Sequence, residues 1–185
     1  NNVEVSKAIS YTAFNEAKNN DVIVENQTAS LLEGFGFSEI MSLSLTKETY
    51  YPAENNNVKV VNPLSNDLNV LRGDMLFSGL EAMADNSIRK YAERKGVEFG
   101  RTYSIADKET PKYAEQKQLT FFVTGNAFSE NPFHLDQKAD LSFLKAAVNN
   151  LLQKCGISNY KCVESTYPNF DYGLSYLVNT KPMVE

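Results

Sequence analysis

The sequence predicts an α+β fold: an antiparallel sheet with helices packed on one face. Three observations lead there. Val97, Phe99, Arg101, Tyr103 and Ile105 alternate with Glu98, Gly100, Thr102 and Ser104, the period-2 pattern of a half-buried strand. Gln118–Thr124 follows as a second strand, rich in β-branched and aromatic residues, with no helix between the two. Asp140–Lys154 places Leu141, Leu144, Val148, Leu151 and Leu152 on one helical stripe. Strands that succeed one another without helices pair antiparallel, and an amphipathic helix needs such a sheet to cover its apolar side.

Taken in order, Asp21–Glu33 reads as a helix with Ile23, Ala29, Leu31 and Leu32 as its apolar positions. Gly34-Phe35-Gly36 ends it, because glycine tolerates the positive φ of a helix stop. From Met41 the chain alternates, with Met41, Leu43 and Leu45 on one face and serines on the other, which predicts a strand. Tyr51-Pro52 and Asn55-Asn56-Asn57 form a loop, and Val58–Val61 is a short strand ended by Asn62-Pro63. Asp74 suits an N-cap ahead of a helix carrying Leu76, Leu80, Met83, Ala84 and Ile88, with Gly96 as its end. Asp107–Lys117, which contains Pro111, is a charged loop. Gly156 fits the position after the Asp140–Lys154 helix. Lys161–Ser165 and Tyr172–Val178 are further strands, and Lys181–Glu185 reads as the start of another.

A chain of 185 residues suits one domain, and its 42% apolar and 22% charged residues are those of a globular protein. The net charge of −5 argues against bulk attraction to DNA or RNA. No apolar run approaches the roughly 18 residues that cross a bilayer. The first residues, Asn1-Asn2-Val3-Glu4-Val5, lack the basic start and apolar stretch of a signal peptide. With no initiating Met, the expectation is a segment of a longer chain. Cys155 and Cys162 are too few for a disulfide framework and are expected to be reduced, partly buried thiols.

Four features are candidates for chemistry. Gly34-Phe35-Gly36 lacks the third glycine of a dinucleotide fingerprint and follows a helix instead of a strand. His134 is the only histidine, so a Ser-His-Asp set or a zinc site would have to use it; its setting, Asn131-Pro132-Phe133-His134-Leu135, reads as a loop. Arg89, Lys90, Arg94 and Lys95 are the densest basic cluster, readable either as a solvated helix end or as a contact to an RNA backbone. Arg72 lies between Leu71 and Gly73 in an apolar stretch, where a guanidinium needs a partner. It is either one half of a structural ion pair or a ligand-binding arginine.

The segment Val60–Tyr103 carries two clusters in a telling order: Asn62-Pro63-Leu64-Ser65 running to Val70-Leu71-Arg72, then Val97-Glu98-Phe99-Gly100. They resemble the beta subunit family of bacterial phenylalanyl-tRNA synthetases, with its NPLS…L/M-R-T-S…F-E-x-G pattern. Leu32-Glu33-Gly34-Phe35-Gly36-Phe37-Ser38-Glu39-Ile40 is similar to that family's L-x-x-x-G-F-x-E-V element, and Asp140–Lys145 with Val148, Leu151 and Leu152 to its D-F-x-x-x-K helix. Gly73 departs from the pattern, standing where the family carries Thr or Ser.

The resemblance implies a class II aminoacyl-tRNA synthetase-like antiparallel sheet flanked by helices. It implies residues 1–20 as a junction from a preceding domain and 21–185 as one catalytic-like module. It also implies a cytoplasmic α₂β₂ heterotetramer with the alpha subunit, tRNA-Phe as substrate, and ATP and Mg²⁺ used by the whole enzyme. Editing and anticodon binding would fall to other domains. Ile23, Leu31, Leu32, Phe35 and Met41 are the expected subunit interface, and Arg89, Lys90, Arg94 and Lys95 a candidate tRNA contact. Amino-acid activation of this class needs an arginine on the second motif's strand pair and another in a late G-x-G-x-x-R segment, to stabilise charge at phosphorus. Arg101 lies on the first expected strand, but Leu119-Thr120-Phe121-Phe122-Val123 has no arginine, and none follows Asn169. No catalytic, cofactor or metal residue is therefore assigned to this chain, and the module is expected to support assembly. The alternative is an amino-acid- or tRNA-binding module with a pocket on the sheet, built from Arg101, Glu98 or Glu39.

Overall fold

A computed structural model of the chain describes residues 20–52, 56–89, 94–107, 112–128, 137–165, 167 and 170–185. Helix α1 spans Asn20–Gly34. Its last turn closes through Phe35 N–H to Leu32 C=O (3.0 Å), Gly36 N–H to Glu33 C=O (2.8 Å) and Phe37 N–H to Leu32 C=O (3.0 Å). Gly36 takes the left-handed φ of 81° that this stop requires.

Strand β1 (Ser38–Glu39) then pairs parallel with β4 (Arg94–Asp107). β4 pairs antiparallel with β5 (Lys112–Thr124), from Arg94↔Thr124 out to Asp107↔Lys112. A two-stranded ribbon joins β2 (Leu45–Thr46) to β3 (Val70–Leu71), and α2 (Leu76–Ile88) follows it. β6 (Asn126–Phe128) pairs with β7 (Gln137–Lys138) ahead of α3 (Leu141–Lys154). A second antiparallel sheet, ordered β10-β9-β8, uses Lys161–Glu164 (β8), Leu174–Val178 (β9) and Lys181–Val184 (β10). Asp140 caps α3 by accepting the Phe143 N–H at 2.9 Å, and Gly156 after it has φ 75°.

The β4–β5 hairpin is covered on both faces. Val97, Phe99, Leu119, Phe121 and Val123 meet Leu32 and Phe37 from the α1 end, and Ala147 and Phe143 of α3. Phe37 meets Phe121 edge-on at 5.6 Å. The alternate residues turn the other way: Phe122 lies over Gly79 of α2, Gly96 under Met83, and Gly100 under Met75 and Arg72. Leu32, Phe37, Val97 and Phe122, which are buried outright, each contribute about 1.5–3 kcal/mol.

Several expectations change at this point. Helices lie on both faces of the hairpin, because Gly79 lets α2 approach the Phe122 ring. The sheet-facing side of α2 is Gly79 and Met83, while Ile88 is 81% exposed. Gly96 does not end a helix; it lies inside β4, where a side chain would collide with the Met83 methyl. Lys112–Lys117 is strand, not loop, since the hairpin ladder extends to its tip. Val58–Val61 contributes a single bridge, Lys59↔Val70. Met41–Ser44 does not pair as a strand, and Met41 and Leu43 are 95% and 65% exposed. Both cysteines are exposed: Cys155 caps the end of α3 and Cys162 lies on β8, an edge strand of its sheet.

Candidate functional site

Beneath α2, the polar centre of the module is built around Arg72. β3 delivers it: its N–H donates to the Ser44 carbonyl (2.9 Å), and its carbonyl accepts the Tyr103 N–H (2.9 Å). The guanidinium, buried on the sheet, donates through Nε to the Arg101 carbonyl (2.9 Å). Nη1 donates to Glu98 Oε1 (2.8 Å), Ser42 Oγ (2.7 Å) and Ser78 Oγ (3.3 Å). Glu98, on β4, is as deeply buried as Arg72. Its carboxylate also accepts from Ser42, whose Oγ lies 2.7 Å and 2.9 Å from the two oxygens and whose N–H is at 3.3 Å.

Two charges taken out of water need this density of hydrogen bonds, since desolvation otherwise exceeds their attraction. Gly100 makes room for the group: an added Cβ there would overlap Arg72 Nη2 and the Met75 methyl. Of the two readings of Arg72, the ion pair is the one seen. Its partner, Glu98, sits between Val97 and Phe99 in a buried strand, a setting that marks a carboxylate in need of a partner without saying which. Ser42 gave no such signal.

Beside this group is an aromatic cluster. Tyr50 stacks on Phe77 (4.8 Å between centroids) and Tyr51 meets the same ring edge-on at 5.6 Å. The Tyr51 hydroxyl accepts the Gly73 N–H at 3.1 Å; the N-cap of α2 is Met75 and not the expected Asp74, which lies one residue earlier and still accepts the Leu76 N–H at 2.9 Å. Burial pushes the pKa of both Tyr51 and Asp74 above their ordinary values. Tyr50 donates to Glu81, which holds the phenol's pKa up, and Lys47 lies 3.5 Å from the same carboxylate.

On the opposite face an open cleft of about 420 Å³ runs between α1, the hairpin and α3, lined by Glu25, Thr28, Arg101, Lys117, Leu151 and Cys155 among others. Its cations are engaged. Lys117 bridges Glu25 (2.9 Å) and Asp21 (3.2 Å), and Arg101 pairs with Glu115. Those carboxylates raise the pKa of each cation.

The remaining residues singled out by sequence are dispersed. Ile23 is 44% exposed on α1, Leu31 and Phe35 are half-buried, and Leu32 is 0% exposed. Leu32 therefore belongs to the module's own core and has no surface to offer a partner. Arg89 is exposed at the end of α2, whereas Arg94 and Lys95 open β4, so the basic residues do not share one helix end. Lys95 Nζ lies 4.9 Å from the centre of the Phe143 ring. Lys90 and His134 lie outside the described residues. Glu39 is exposed on β1, and Glu98 and Arg101 point to opposite faces of β4.

Comparison with known proteins agrees with this architecture. A family model described as the phenylalanyl tRNA synthetase beta chain CLM domain matches residues 6–181. The phenylalanine–tRNA ligase beta subunit of Bacteroides fragilis is 35% identical over 194 aligned residues, covering 98% of this chain and 24% of that protein. The same subunit of Porphyromonas gingivalis is 32% identical, covering 81% of this chain and 20% of the relative. The chain thus spans about a quarter of the length of these relatives.

Among solved structures, the pyrrolysyl tRNA synthetase of Desulfitobacterium hafniense superposes with a TM-score of 0.62 at 15% identity, over 87% of this chain and 54% of that one. An ATP phosphoribosyltransferase regulatory subunit/histidyl-tRNA synthetase from Bacillus halodurans gives 0.59 at 16%, over 84% and 39%. These likenesses concern the fold, which is that of the class II synthetases. With the family model spanning nearly all of the chain, and the buried Arg72–Glu98 pair joining the two clusters that carry the resemblance, the chain belongs to the phenylalanyl-tRNA synthetase beta chain CLM domain family.

Proposed function

We propose that this chain is a non-catalytic module of a phenylalanine–tRNA ligase beta subunit, supporting assembly with the alpha subunit in an α₂β₂ enzyme of the cytoplasm. In the whole enzyme, ATP and Mg²⁺ would serve to activate phenylalanine for transfer to tRNA-Phe. The observation that carries this reading is the state of the arginines. Arg72 is committed to buried Glu98, and Arg101, the candidate phosphate holder, pairs with Glu115 on the opposite face. Among the described residues, no three His, Cys, Asp or Glu side chains converge on a metal-sized site. No catalytic step is assigned to the described residues.

Exposed Val22, Ile23 and Val24 on α1, with Met41 after β1, supply the apolar surface for assembly. The test is ATP–pyrophosphate exchange by the chain alone, together with co-purification of the full beta chain with alpha. No exchange, and loss of co-purification on Ile23→Asp with Met41→Asp, are expected. Exchange by the chain alone would overturn the non-catalytic reading, and unaltered co-purification the interface. The cleft beside Glu25 favours the second reading, an amino-acid pocket. A rise in Tm with added phenylalanine would support it.

A further inference from the structure

The run from Met41 to Leu45 alternates like a strand, yet only Leu45 pairs as one, and Met41–Ser44 do not. Its ends are anchored by backbone. Ile40 N–H donates to the Val97 carbonyl at 2.8 Å, and the Ser44 carbonyl accepts the Arg72 N–H at 2.9 Å. Between those anchors, among the described residues, the hydrogen bonds belong to Ser42. Its N–H and Oγ reach Glu98, and its Oγ accepts from Arg72. Met41 and Leu43, either side of it, are mostly in solvent and contribute little apolar burial to hold the segment.

We propose that Ser42 is a latch, a positioning residue through which the buried Arg72–Glu98 pair fixes the irregular segment Ile40–Ser44 at the edge of the module. The pair is an unusual anchor for a surface segment, because its charges cannot relax. Glu98 lies on β4, whose ladder with β5 holds the backbone, and the guanidinium is braced by the Arg101 carbonyl. A hydroxyl shared between two ions fixed in this way is charge-assisted on both sides, stronger than a neutral hydrogen bond. The latch makes the placement of Met41 and Leu43 a property of the core. The inference is independent of what, if anything, binds that edge.

The test is peptide-resolved hydrogen exchange on the full-length chain containing these residues, comparing parent, Ser42→Ala and Ser42→Thr. In Ser42→Ala, exchange across residues 40–44 is expected to quicken roughly tenfold to hundredfold, the factor carried by a hydrogen bond to a charged group. Peptides from β4 and β5 should keep their protection, and Ser42→Thr, which restores the hydroxyl, should return residues 40–44 towards the parent rate. Unchanged exchange in Ser42→Ala would show that the backbone anchors suffice and overturn the latch. A uniform acceleration that includes β4 and β5 would also overturn it, since Ser42 would then support the whole core.

Discussion

Replacing Arg72 by Met is the sharpest probe of what holds the module together. Methionine keeps much of the side-chain volume and removes the charge, leaving Glu98 buried with Ser42 as its remaining hydrogen-bond partner. Breaking a buried pair by removing one partner costs about 3–5 kcal/mol, because the other ion is stranded in a low-dielectric site. Against a typical total of about 5–15 kcal/mol, that is a large share of stability. With a urea m-value of about 2 kcal/mol/M, the midpoint should fall by roughly 1.5–2.5 M at unchanged slope. The double variant Arg72→Met with Glu98→Leu removes the stranded charge and should recover most of the loss, giving a coupling of at least ~2 kcal/mol. The measurement is urea unfolding followed by circular dichroism on all four members of the cycle. A single variant costing under ~1 kcal/mol, or a double variant costing the sum of the singles, would refute the argument that the pair is buried and mutually dependent.

Gly79→Ala places a methyl group inside the Phe122 ring, so overpacking should cost about 1–3 kcal/mol and move α2 off the hairpin, read as a lowered Tm. Asp140→Ala removes the α3 cap and should cost about 0.5–2 kcal/mol, seen as a proportionate drop in the urea midpoint. Asp74 has its folded pKa raised by burial, so its contribution to stability is full below the ordinary carboxylate range and is lost as pH rises through the folded value. Asp74→Asn keeps an acceptor for the Leu76 N–H and removes that titration. The variant should therefore gain on the parent as pH is raised from 3 to 7, by about a few tenths of a kcal/mol or more on pH-resolved unfolding curves. Cys155 and Cys162 are both exposed and should react with a thiol reagent in the folded chain as fast as in urea. Slow labelling of either would contradict its placement.

Much of the architecture could be read along the chain. The α3 helix was legible because Asp140 and Gly156 bracket a stripe of matching period, and both do what their chemistry allows at a helix end. The glycine stop at Gly36 was legible for the same reason. The hairpin was legible only in part: Lys112–Lys117 carries charge on exposed positions, and a charged edge strand looks like a loop until its ladder is known. Met41–Ser44 misled in the opposite direction, since alternation signals a strand only where a neighbour accepts its hydrogen bonds. In the candidate site, Arg72 announced the need for a partner. Glu98 was visible as a polar residue in a strand but not as that partner, being 26 residues away, and Ser42 is 30 residues away with nothing in its surroundings to mark it.

Family membership, fold class, the stop of α1 and both ends of α3 follow from spacing and residue type, because capping, periodicity and motif order act over a few neighbouring residues. Which face each residue meets did not follow. Gly79 and Gly96 mark where a helix closes on a sheet, and Gly100 is where an arginine crosses it, only once β4, β5 and α2 are assembled. Likewise, Arg72 became a structural ion and not a free cation when the fold carried it to Glu98, since pairing at a distance is set by packing and desolvation and leaves no local pattern in the chain.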